Sequence, residues 1–113
     1  MKIAIATNKG GLDDQIADRF GRAPTFTIVE LDDNTLKIKN IYVVENPGSK
    51  AGSGAGVRAV QKLVDEKVNV VIGPNPGPNA YIALQQSGIK IYTITGVTAK
   101  EALNQVLAEL RKK

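Results

Sequence analysis

The run Val68-Asn69-Val70-Val71-Ile72, closed at once by Gly73-Pro74-Asn75-Pro76-Gly77-Pro78, constrains this chain more than any other segment. A short run dense in β-branched residues reads as a strand, and the Gly/Pro cluster ends it. Pro78 suits the first turn of a helix, because its missing N–H has no helical partner to lose. Ala80, Ala83 and Leu84 then face inward, Gly88 serves as the C-terminal cap, and Ile89 to Ile94 forms the last strand. Strand, helix and strand in this order demand a parallel pair joined by a right-handed crossover.

The remaining segments extend that unit in both directions. Ile3 to Thr7 is a short apolar run ending at Asn8-Lys9-Gly10-Gly11, a buried strand and a turn. Leu12 to Pro24 is a long connection with room for one helical turn. Thr25 to Leu31 and Leu36 to Val44 are strands joined by the Asp32-Asp33-Asn34 turn, hence an antiparallel hairpin. Asn46 to Gly56 is a Gly/Ser/Pro-rich loop. The helix after it carries Val57, Val60, Leu63 and Val64 on one face. At the end, Thr98 and Glu101 form a capping box for a helix with Ala102, Leu103, Val106, Leu107 and Leu110 apolar.

The order β-β-β-α-β-α-β-α predicts a three-layer α/β/α domain spanning residues 1–113. Its five-stranded mixed sheet has the order 3-2-1-4-5, with strand two running against the rest. This sheet order resembles that of ribonuclease H-like domains. The chain leaves strand one on one side and returns on the other at strand four. Ligands of open α/β sheets bind at such a switch point, beyond the carboxyl ends of the strands.

Three segments converge there: Asn8 and Lys9 after strand one, Ser53 and Gly54 before the first helix, and Gly77 and Asn79 before the second. Arg19-Phe20-Gly21-Arg22, which leads into strand two, adds two guanidinium groups around an aromatic ring. Backbone N–H groups, helix N-termini and basic side chains favour an anion. Asn8, Lys9, Arg19, Phe20, Gly21, Arg22, Ser53, Gly54, Gly77 and Asn79 are therefore the candidate binding residues. The alternative is that the glycines only permit sharp turns and that Phe20 anchors the loop.

Several chemistries are excluded or disfavoured. The chain has no Cys and no His, so thiolate catalysis, disulfides and Cys/His zinc sites are absent. Lack of disulfides is consistent with a reducing cytoplasm. The N-terminal apolar run is too short for a signal peptide or a membrane span. A net charge of +4 is spread along the chain, and aromatic residues make up only 4%. Nucleic-acid binders cluster basic charge and add stacking rings, so no nucleic-acid partner is expected.

Gly54-Ala55-Gly56-Val57-Arg58-Ala59 fits G-x-G-x-x-A, but it lacks a strand directly before it and an acidic residue about twenty positions on. No Walker A Gly-Lys-Ser/Thr occurs. Asp13, Asp14, Asp18, Asp32 and Asp33 make no catalytic set, and the first strand carries no carboxylate for a metal-dependent nuclease. An enzyme is not expected.

An ordered set of short motifs suggests a family. It comprises Met1-Lys2-Ile3-Ala4-Ile5, Phe20-Gly21-Arg22-Ala23-Pro24 with Phe26, Glu45-Asn46-Pro47, and Gly77-Pro78-Asn79-Ala80. Gly88-Ile89-Lys90-Ile91-Tyr92 follows, then Gly96, Thr98 and Glu101-Ala102-Leu103. Together they resemble the dinitrogenase iron–molybdenum cofactor biosynthesis family over nearly the whole chain. The resemblance implies a small non-enzymatic accessory or carrier protein that binds an iron–molybdenum or iron–sulfur cluster. Family members often carry a His immediately before Phe-Gly-Arg, where this chain has Arg19. A cluster here has no Cys or His to ligate it and must be held by Arg and backbone donors. The second reading is a protein-interaction or regulatory module that presents an exposed Phe20 to a partner.

Overall fold

The structure, a computed structural model, describes residues 1–112. Five strands form one sheet: β1 (Lys2–Thr7), β2 (Thr25–Leu31), β3 (Ile38–Glu45), β4 (Val70–Gly73) and β5 (Lys90–Thr93). Three helices accompany them: α1 (Ala55–Asp65), α2 (Pro78–Gln86) and α3 (Ala99–Arg111). The sheet order is β3-β2-β1-β4-β5. β2 runs antiparallel to both β1 and β3, while β4 is parallel to β1 and β5. The mixed sheet and its order are those the sequence predicts.

Alternation along the strands divides the core in two. Ala4 and Ala6 of β1 point into one cluster with Phe26, Ile28, Val60, Leu63 and Leu84, which places α1 and α2 on that face. Ile3 and Ile5 point into the other with Val29, Leu31, Leu103 and Val106 from α3. The small side chains matter as much as the large ones. Ala6 and Gly73 lie side by side at the ends of adjacent parallel strands, and the Phe20 ring fills the space above them.

Several local expectations are corrected. The Leu12 to Pro24 connection holds no helical turn; isolated bridges Thr7–Ile16 and Gln15–Thr98 tie it to β1 and to the loop before α3. β3 begins at Ile38, because Leu36 adopts a positive φ of 60° in the hairpin turn and packs on the α3 core instead. Pro47–Lys50 forms a short 3-10 turn inside the predicted loop. On α1 the buried residues are Ala59, Val60 and Leu63, while Val57 and Val64 are exposed. The buried stripe of α1 is therefore narrower than the apolar pattern predicts.

The helix ends follow the sequence closely. Gly88, with φ 71°, follows α2, and its N–H donates to the Gln85 carbonyl. Thr98 Oγ1 accepts from the Glu101 N–H at 3.2 Å and donates to Glu101 Oε1 at 3.1 Å.

Candidate functional site

The loop after β1 is the first part of the predicted cradle, and the protein's own carboxylate occupies it. Asp14 Oδ2 accepts from the backbone N–H groups of Asn8, Lys9 and Gly10 at 2.8, 2.7 and 2.9 Å. Asp14 Oδ1 accepts from Gln15 N–H at 2.8 Å. Partial burial pushes this carboxyl up, but the four backbone donors outweigh it and hold the group below the usual carboxylate range. The next donor, Gly11 N–H, goes to Thr27 Oγ1 at 2.9 Å.

Thr27 belongs to a small hydroxyl chain. Thr7 Oγ1 lies 2.7 Å from Thr25 Oγ1 and 3.0 Å from Thr27 Oγ1. The N–H groups from Asn8 to Gly11 are thus all engaged, which corrects the expectation that Asn8 and Lys9 offer free backbone donors. Their side chains remain exposed.

Phe20 is the second correction. It is 2% exposed and sits 5.9 Å from the Phe26 ring, so it is a core anchor rather than a docking residue. Burying a ring of this size contributes roughly 2–3 kcal/mol. That anchorage fixes the residues on either side of it. Gly21 lies against the start of α1, where a Cβ on it would stand 2.7 Å from Gly56 N. Arg22 Nη1 donates to the Ala51 carbonyl. Arg19 is exposed.

Asn46 completes the scaffold, and it is absent from the predicted site. Its side chain is 2% exposed. Nδ2 donates to the carbonyls of Gly21 and Ala23 at 3.0 and 2.9 Å, and Oδ1 accepts from Gly48 N–H at 2.9 Å. One amide therefore ties the Phe20–Ala23 segment to the 3-10 turn. Gly48 fits beneath because it lacks a Cβ, which would meet the carbonyls of Ala55 and Gly21. The signal in the sequence was Asn46-Pro47 directly after a strand, an Asx-type turn start.

α1 and α2 meet just beyond this scaffold. A Cβ on Gly56 would lie 3.0 Å from the Ala80 Cβ, so the two helix starts pack closely. Both helices begin at a glycine N-cap, Gly54 and Gly77, with no side-chain cap hydrogen bond. Their first turns border a shared hollow of about 270 Å³ lined by Gly54, Gly56, Pro76, Gly77 and Asn79 among others. A second hollow, of about 220 Å³, takes in Asn8, Asp18, Arg19 and Arg22. Ser53 and Lys9 line neither. The structure therefore brings the predicted residues together in two groups, with Gly21 between them.

Residues 1–109 match the family model described as dinitrogenase iron-molybdenum cofactor. The chain belongs to this family. It is 30% identical over 107 residues to an uncharacterized protein of Methanocaldococcus jannaschii, covering 95% of this chain and 86% of that one.

The solved structure of the apo form of the orange protein from Desulfovibrio gigas is 32% identical, with a TM-score of 0.82 over 96% of this chain and 88% of that one. An NMR structure of a Thermotoga protein of the DUF35 family is 33% identical, with a TM-score of 0.74 over 95% and 87%. The fold is thus common to this chain and these two solved structures.

The donors present decide what kind of metal species fits. The chain contains no Cys and no His, and among the described residues no group of three acidic side chains is placed to hold a metal ion. Soft inner-sphere ligation is therefore unavailable. What the site offers is helix N-terminal N–H groups and guanidinium groups, which suit the outer surface of an anion. Among the described residues no helix is long and apolar enough to cross a membrane.

Proposed function

We propose that this protein is a non-enzymatic accessory or carrier protein that holds a small anionic ligand, a metal cluster or its precursor, as cargo. The ligand sits at the N-termini of α1 and α2 at the switch-point edge. The observation that carries this reading is the pair of glycine-capped helix starts facing one hollow, neither capped by a side chain of its N-cap residue, with Asn75 Oδ1 accepting from the Gly77 N–H at 2.9 Å. Each start concentrates roughly half a positive charge. Arg19 and Arg22 in the neighbouring hollow add formal charge opposed by Asp18.

The binding is outer-sphere. N–H and guanidinium donors hold the cargo by its anionic surface, so it can be taken up and released without breaking metal–protein bonds. Lack of disulfides is consistent with a reducing cytoplasm. Anaerobic reconstitution with iron, sulfide and molybdate, followed by desalting and metal analysis, tests the reading. Metal should remain with the protein, and Arg19→Glu should lower the retained amount several-fold. If no metal is retained and no anion shifts the melting temperature, the carrier reading is wrong.

A further inference from the structure

Two aspartates of this chain gather backbone N–H groups, and they do so differently. Asp32 Oδ1 accepts from Asn34 and Thr35 N–H, each at 2.9 Å, in an ordinary turn whose acceptor precedes its donors. Asp14 instead follows its donors. Its single oxygen Oδ2 takes the N–H groups of Asn8, Lys9 and Gly10 at 2.8, 2.7 and 2.9 Å. A carboxylate oxygen has about two lone-pair sites. Three donors aimed at one oxygen therefore suit negative charge better than a neutral acceptor. Successive N–H groups that converge in this way form an anion-binding nest.

The nest does not owe its shape to the carboxylate it holds. Gly10 and Gly11 have φ of 103° and 97°, which glycine adopts freely. Gly10 also lies against Val43, where a Cβ would stand 2.6 Å from Val43 Cγ1. Gly11 N–H is fixed on Thr27 Oγ1 at 2.9 Å. The return from Leu12 to Ala17 is fastened by its backbone. The carbonyls of Asp14 and Leu12 accept from the Ala99 and Lys100 N–H groups at 2.8 and 2.9 Å. Ile16 N–H donates to the Val97 carbonyl at 3.2 Å, and Ala17 N–H to the Ala6 carbonyl at 2.9 Å. Asp14 is not among the residues with positive φ, so other side chains fit its backbone. Deleting the carboxylate removes the occupant and leaves the frame.

We propose that the loop after β1 is a latent binding site for a small carboxylate, and that Asp14 is an autoinhibitory contact, an internal ligand that keeps free anions out of it. An attached carboxylate outcompetes a free one because it loses no translational freedom on binding. With Asp14 in place, Asn8, Lys9 and Gly10 are closed to solution anions. Without it, the same three donors face an empty position shaped for one. The site rests on residues 8–17 and their neighbours, so it stands whether or not the starts of α1 and α2 bind cargo.

The test is rescue by an added carboxylate. Asp14→Ala keeps the Cβ and leaves room for formate, the part that was removed. Sodium formate should give saturable shifts at the amides of Asn8, Lys9 and Gly10 in the isotope-labelled variant. It should also raise the variant's melting temperature more than the same concentration of sodium chloride does. In the wild type and in Asp14→Asn, a side chain still fills the nest, and these amides should stay nearly still. If Asp14→Ala is unfolded in chloride, formate should refold it. The proposal is overturned if the amides of the folded variant ignore formate, if formate fails to refold an unfolded one, or if the wild type responds as strongly.

Discussion

Two clusters of backbone N–H groups lie at the same edge of this sheet, and they have opposite fates. In the loop after β1, three successive donors are closed by the Asp14 carboxylate, and a fourth goes to Thr27. At the starts of α1 and α2, glycine N-caps leave the first turns without a side-chain acceptor. Both clusters are glycine-rich, and both lie near the switch point. Glycine content alone does not separate a structural turn from a binding cradle; the acceptor already present does. α3 shows the closed alternative at a helix start, since Thr98 Oγ1 accepts from the Glu101 N–H.

The strongest way to break this contrast is to remove what holds the open cluster in place. Asn46→Ala strands the carbonyls of Gly21 and Ala23 and the N–H of Gly48 in a buried setting. The expected cost is about 3–4 kcal/mol in chemical denaturation. Gly21→Ala drives a methyl group into the start of α1, 2.7 Å from Gly56 N, and should cost about 2 kcal/mol. It should also widen the hollow and weaken anion binding there.

The closed cluster can instead be opened. Asp14→Asn removes the charge that gathers four N–H groups and should cost roughly 1–2 kcal/mol at neutral pH. The sign of the pH effect follows from the lowered folded-state pKa of Asp14. Its contribution is fully present above the ordinary value of 3.8 and is lost as pH falls through the lower folded value. Thermal melts of the wild type and Asp14→Asn should therefore converge in acid. A gap that persists unchanged at low pH would show that the charge is not responsible. The smallest effect belongs to the control: Thr98→Ala should cost about 1 kcal/mol through the lost α3 cap, with anion binding unaffected.

How much of this was legible in the sequence depends on the range of the interactions. The sheet order followed from local patterns, because a two-strand hairpin and two crossover units leave few ways to assemble five strands. Capping at Thr98 and the Gly88 stop were readable for the same reason: each is decided within a few residues. The candidate site was only half legible. Gly54, Gly77 and Asn79 do share a hollow.

Phe20 was read as exposed under one of two alternatives because nothing nearby in sequence covers it. The space it fills is created by Ala6 and Gly73, fourteen and fifty-three positions away by residue number. Asp14 and Asn46 went unassigned for a related reason. Each is a polar side chain that satisfies backbone groups of a loop, Asp14 close by in sequence and Asn46 far from it, and no apolar periodicity records either role. Val57 and Val64 show the reverse failure, being apolar by pattern yet exposed.

The account turns on which of the two N–H clusters is open to an anion. Amide chemical-shift mapping of the isotope-labelled protein, titrated with molybdate, reads both at once. The predicted result is saturable shifts at Ala55, Gly56, Val57, Asn79 and Ala80, with the amides of Asn8, Lys9 and Gly10 nearly still. Shifts confined to Asn8–Gly10, or none at the starts of α1 and α2, would contradict it.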